Sequence, residues 1–190
     1  MKIFYFGEPY SFTHVASLRR FGRQHSYVSK SDISETVEAA LSCRGSIAVV
    51  PIENTTGGHV ADTIDAIYDY RNELLIEEEL EMAVEFFLLA KNKIGLHKIR
   101  KVFSHDFALK RAESWLKKNT GNKVELISTV STSEAALNLS RKGRYSCAIA
   151  GSEAAEQYGL VKLKRIDVKG KKYITRFFVI VKNEKTRNRI

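Results

Sequence analysis

Apolar positions along the chain change period repeatedly. KIFYF (2–6) is a short β-rich run closed by Gly7, and SFTHVASLRRF (11–21) then spaces Phe12, Val15, Ala16 and Leu18 like one helix face. SDISETVEAAL (31–41) repeats that helical spacing, with Asp32 and Glu35 in the relation of a capping box. SIAVVPI (46–52) is an unbroken apolar run of the kind buried on both faces of a parallel sheet. The turn ENTTGG leads into the helical pattern HVADTIDAIYDY. The alternation then recurs. LLIEEE and MAVEFFLLA (82–90) read as two strands, KVF (101–103) as a strand, and HDFALKRAESWLKK as a helix carrying Ala108, Ala112, Trp115 and Leu116. VELIS (124–128) and YSCAIA (145–150) read as strands, TSEAALNLSR and SEAAEQYG as helices, and LVKLKRI and YITRFFVIV as closing strands. Strands alternating with helices predict an α/β fold with mostly parallel sheets.

Composition narrows the class without changing this picture. With 190 residues, 44% hydrophobic and 28% charged, the chain has the make-up of a soluble globular protein with room for a sizeable core. Cys43 and Cys147 lie in or beside apolar runs without ligand spacing, so both are expected to be reduced core residues. The first residues contain too short an apolar stretch for a signal peptide, and no run approaches membrane-spanning length. The cytoplasm is the expected compartment. The five histidines show no paired helical spacing for zinc, and GxSxG, P-loop and GxGxxG patterns are absent.

The net charge is +9, and residues 161–190 hold eleven Lys or Arg against Asp167 and Glu184. Such a tail suits nucleic acid, but no aromatic-basic motif accompanies it. The expected role is a solubilising surface that steers small anions, with no nucleic-acid partner. The opposite charge gathers at EEELE (77–81), which reads as a solvated strand edge.

Ligands in parallel α/β sheets meet the carboxyl ends of strands and the amino ends of the helices that follow. Those positions here carry GEPYSFTH, PIENTTGG, SHD, TVSTSEAA and GSEAA. Ser, Thr and Gly at helix starts offer hydroxyls and backbone N–H groups to carboxylates or phosphates, although each is also an ordinary cap. Glu53 and Asn54 end an apolar strand, where a carboxylate is costly unless hydrogen-bonded. Arg176 poses the converse problem. It enters the apolar run of residues 174–181, at a cost of roughly several kcal/mol unless something anionic meets it.

PIENTTGG (51–58), STSEAA (131–136), AIAGSEAAEQYGL (148–160) and ITRFF (174–178) resemble prephenate dehydratase. GEPYSFTHVA (7–16) and SHDFAL (104–109) are similar to two further landmarks of that family, in the same order along the chain. The resemblance implies a two-lobed α/β fold of the type II periplasmic-binding-protein kind with a cleft between the lobes. Residues 1–78 with 168–190 would form one lobe and 79–167 the other. It implies loss of CO2 and water from prephenate to give phenylpyruvate in phenylalanine biosynthesis, without a cofactor or metal, by a homodimer or homotetramer. Many members add a C-terminal regulatory ACT domain, before which this chain is expected to end.

The resemblance also assigns roles. Arg176 would grip a carboxylate of the dianionic substrate, Thr175 would donate a hydrogen bond or proton to the departing hydroxyl, and Phe177 would wall the cleft. Strand alternation sets Thr175 and Phe177 on one face and Arg176 on the other, so either a bulge or strand end reconciles them or Phe177 belongs to the core. Ser11, Glu53, Asn54, Thr55, Ser104, His105, Ser131 and Thr132 would bind substrate. The family usually has Gly, Gln and Asn where Tyr10, Phe107 and Tyr173 stand. These departures leave open arogenate as substrate, a decarboxylase relative, or a non-catalytic module that binds a small anion or amino acid.

Overall fold

The computed structural model describes residues 1–55, 57–120, 123–166 and 173–184, apart from the Ser140 side chain. The chain divides into two units, Met1–Ala83 with Tyr173–Ile190, and Val84–Lys172. The sequence reading set the first boundary at 78, near the end of the expected strand LLIEEE. Residues 74–84 instead form one strand, so the boundary falls at its end.

The first unit is built on Lys2–Phe6 (β1), Ser26–Lys30 (β2), Ile47–Asn54 (β3), Gly58–His59 (β4), Leu74–Val84 (β5) and the chain's last strand, Tyr173–Lys182 (β11). The sheet order is β2-β1-β3-β11-β5, with β4 paired to β3. β1 runs parallel to β2 and β3, whereas β11 lies antiparallel to β3. The helices are Phe12–Phe21 (α1), Ile33–Ser42 (α2) and Ala61–Asp69 (α3). Strand alternation turns Phe4, Ala48, Val50 and Ile180 to one side, where they pack with Val37 and Leu41 of α2 and Ala66 of α3. Ser11 caps α1 by accepting the His14 N–H at 3.3 Å, and Asp32 caps α2 by accepting the Glu35 N–H at 3.0 Å.

The second unit holds Phe87–Ala90 (β6), Lys101–Ser104 (β7), Glu125–Ser128 (β8), Ser146–Ala150 (β9) and Val161–Arg165 (β10), in the order β10-β6-β9-β7-β8. β7 is parallel to β8 and β9, while β6 and β10 join antiparallel. Every residue of the central β9 is buried. Asp106–Thr120 (α4), Thr132–Asn138 (α5) and Ser152–Gln157 (α6) complete the unit.

The expectation of mostly parallel sheets needs correction. Each sheet has a parallel centre to which antiparallel strands are added. β2 was also missed, because SYVSK carries too little apolar signal: it is an edge strand with no fully buried residue. Cys147 is buried and its thiol is pushed up to about 12 by desolvation, while Cys43 is half-buried against the first core. Neither forms a disulfide. Among the described residues, no helix is long and apolar enough to cross a membrane, and no group of three or more His, Cys, Asp or Glu could hold a metal ion. Of the basic tail, residues 169, 171, 172, 185, 187 and 189 lie outside the described residues, as does Asp167.

Candidate active site

The carboxyl ends of β1 and β3 and the amino end of β11 lie at the same end of the first sheet, because β11 opposes the other two. This brings Pro51–Asn54 and Thr175–Phe177, far apart in sequence, into direct register. Thr175 pairs with Asn54 and Arg176 with Glu53, yet Phe177 pairs with Pro51. Ile52 is therefore an extra residue, a bulge on β3. In a regular ladder Arg176 would face Ile52 and Thr175 would face Glu53. The extra residue moves Glu53 opposite Arg176 and Asn54 opposite Thr175, and opposed residues in an antiparallel pair share a face. This bulge lies on β3 and leaves the alternation of β11 intact, so Arg176 still faces away from Thr175 and Phe177.

Backbone and side-chain bonds hold this turn. The Thr55 N–H donates to the Ile174 carbonyl at 3.0 Å, and the Ile174 N–H donates to Thr55 Oγ1 at 3.3 Å. Asn54 Oδ1 accepts the Gly57 N–H at 2.5 Å, closing the loop that follows. Thr63 Oγ1 donates to the Pro51 carbonyl at 2.5 Å, tying α3 to the strand just before the bulge.

Arg176 is not the buried cation expected from its apolar neighbours. Its side chain is 44% exposed, and the anions that meet it are the protein's own. Nη1 donates to Glu53 at 2.8 Å and Nε to Glu79 at 2.6 Å. The hydrogen bonds to Glu79 and then Glu53 raise its pKa further, so it is a permanent cation. Phe177, by contrast, is among the largest fully buried side chains, at 1% exposure. Alternation sets it with Val179 on the side opposite Arg176, so it packs the first unit's interior.

After β1 in the same unit, Ser11 Oγ accepts from His14 N and donates to the Phe6 carbonyl at 3.4 Å. His14 is enclosed by aromatics: it stacks on Tyr5 at 4.4 Å between ring centres and meets Tyr10 and Tyr27 edge-on. Its Nδ1 accepts the Tyr10 N–H at 2.9 Å, and burial, helped by Arg23, lowers its pKa to about 4. Tyr10 is the one non-glycine residue with positive φ among the described residues, at 63°. A side chain is strained there, which gives a physical reason for the family's usual glycine at this position.

In the second unit, the remaining expected residues collect at the carboxyl ends of β7 and β8. Ser104 is fully buried and donates to the Ile149 carbonyl at 2.7 Å; its own carbonyl accepts the Thr129 N–H at 2.9 Å. His105 accepts the Phe107 N–H through Nδ1 at 3.3 Å. Ser131 caps α5 by accepting the Glu134 N–H at 3.0 Å and lies 3.3 Å from Ser133 Oγ; Thr132 opens the helix. These hydroxyls and helix starts suit a carboxylate, and each also serves as a local cap or strand tie.

Sequence reading missed Glu79. The run EEELE read as a solvated edge because its charge is uniform, and nothing in the local pattern indicated that β5 would lie beside β11.

The family model for prephenate dehydratase matches residues 3–185. The chain is 33% identical over 186 residues to a bifunctional chorismate mutase/prephenate dehydratase of Aquifex aeolicus, covering 97% of this chain and 49% of that protein. It spans about half the length of the curated relatives it matches. Among solved structures, the prephenate dehydratase of Arthrobacter aurescens in complex with L-Phe superposes with a TM-score of 0.86 at 24% identity, covering 96% of this chain and 61% of that one. A periplasmic substrate-binding protein of an ABC transporter from Coxiella burnetii gives 0.52 at 14% identity, over 99% and 87% of the two chains. That likeness is one of fold: two α/β units of the type II periplasmic-binding-protein kind. With the match extending along nearly the whole chain, this protein belongs to the prephenate dehydratase family.

Proposed function

We propose that this chain is the catalytic domain of a prephenate dehydratase, converting prephenate to phenylpyruvate in phenylalanine biosynthesis. The supporting observation is the register of β11 on β3, which sets the Thr175–Arg176 pair against Glu53–Asn54. The carbon–carbon bond to the ring carboxylate breaks, its electron pair enters the ring, and the ring hydroxyl leaves at the opposite carbon. CO2, water and an aromatic product result. Hydroxide is a poor leaving group, so a donor must stand beside it.

Thr175 is the proposed donor. A threonine hydroxyl is a weak acid, so its contribution comes from position, which the Asn54 pairing and the neighbouring Thr55–Ile174 bonds support. Arg176 supplies the permanent cation of the site. Ser11, Glu53, Asn54, Thr55, Ser104, His105, Ser131 and Thr132 are proposed to contact substrate, and the +9 net charge draws in a dianion. The chain is proposed to act in the cytoplasm as a homodimer or homotetramer, which a sizing column coupled to light scattering would read.

The test is a spectroscopic assay of the purified protein with prephenate, run beside arogenate and without added metal, with products identified. Phenylpyruvate from prephenate is expected, and Thr175→Ala is expected to lower kcat by about a hundredfold or more. Undiminished turnover in that variant removes Thr175 from the mechanism. Tight binding of prephenate or phenylalanine without turnover would make the chain a binding module instead.

A further inference from the structure

Glu53, Arg176 and Glu79 form a row across three neighbouring strands, β3, β11 and β5. One guanidinium is bound through two different nitrogens by two carboxylates, at 2.8 and 2.6 Å. The formal charge of the row is −1, so the pull of Arg176 on an incoming anion is more than offset by its neighbours. Two fixed points also set the plane of the guanidinium, which a lysine ammonium could not reproduce.

We infer that Arg176 acts through Glu53, holding that carboxylate in place rather than gripping the substrate's own, and that Glu79 is a positioning residue of the same site because it fixes the other end of the guanidinium. The inference rests on the dehydratase reading for its kinetic consequences, but the clasp itself does not depend on turnover. Glu79 is 39% exposed on its side chain, so its substitution leaves the core untouched.

The experiment compares Glu79→Ala, Glu79→Gln and Arg176→Lys with the unmodified protein in the prephenate assay and by NMR of the arginine Nε–H resonances. Glu79→Ala is expected to lower kcat about fivefold to tenfold and change KM less than twofold. Glu79→Gln, whose amide oxygen still accepts from Nε, is expected to recover most of kcat. A slowly exchanging Nε–H resonance, assigned by its loss in Arg176→Lys, should vanish in Glu79→Ala and persist in Glu79→Gln. If Arg176 grips substrate instead, freeing it from Glu79 strengthens its hold on a dianion, and a KM more than twofold lower in Glu79→Ala than in Glu79→Gln, which loses the same charge but keeps the bond, overturns the inference. So does a Glu79→Ala variant with unchanged kcat, or a missing protected Nε–H in the unmodified protein. A protected resonance in a protein that does not turn over prephenate would sink the functional reading while leaving the clasp standing.

Discussion

The bond between the Tyr10 N–H and His14 Nδ1 links two costs at one point in the first unit. Tyr10 bears a positive φ, and His14 is kept neutral by burial among three tyrosines. The ring nitrogen can accept that bond only while unprotonated. Folded His14 takes a proton near pH 4, whereas the same side chain in the unfolded chain takes one near 6.5. Between these values the unfolded chain binds more protons. Stability from neutral His14 is therefore complete above about pH 6.5 and is lost as pH falls toward 4. His14→Asn keeps an acceptor of similar placement but cannot titrate. Its thermal midpoint is expected to fall less steeply than that of the unmodified protein between pH 6.5 and 4, and parallel curves would refute this assignment. The same scale shows where residue-level reading misjudged Arg176. An apolar neighbourhood in sequence implied burial, yet the residue before the buried Phe177 lies on the other side of the strand and reaches two glutamates.

Elements were legible where the pattern was strong and both ends were marked. The helix beginning after Asp32 was read from the Asp32/Glu35 spacing, and Asp32 does cap it. The apolar run at 46–52 is the buried β3, although the strand extends to Asn54 because β11 continues the pairing. Two of the errors share a cause. β2 has little apolar content because an edge strand buries little, and β5 was divided because its charged middle interrupts a pattern that the ladder does not. In the second unit, Ser131 illustrates how a cap and a possible ligand group coincide. It accepts from the Glu134 N–H, while Glu134 Oε2 accepts the N–H of Val130, the residue before the cap, at 2.8 Å. Ser131→Ala is expected to cost about 1 kcal/mol in a denaturant titration through loss of the cap alone. A much larger loss of prephenate turnover than of stability would give the hydroxyl a second role.

The chain passes through its first unit, builds the second, and returns to finish the first. The returning strand is interior: β11 lies between β3 and β5, and it contributes Phe177, Val179 and Ile180 to the buried residues. Truncation after residue 172 would leave β3 and β5 without their shared neighbour. Such a chain is expected to lose the cooperative thermal transition of the first unit and to be cut rapidly by protease within residues 1–83; protection there equal to that of the whole chain would show that β11 is dispensable. Period and capping, which act over a few residues, determined which segments became helices and strands, and the spaced motifs pointed to the family. Those signals are local, because a residue's burial pattern reflects its own strand or helix. Pairing between strands more than a hundred residues apart depends on global topology, and a bulge depends on the mismatch between two ladders. Only the tertiary structure decided that Asn54 stands against Thr175, that Arg176 is held by Glu53 and Glu79, and that the acidic edge of β5 belongs beside the last strand.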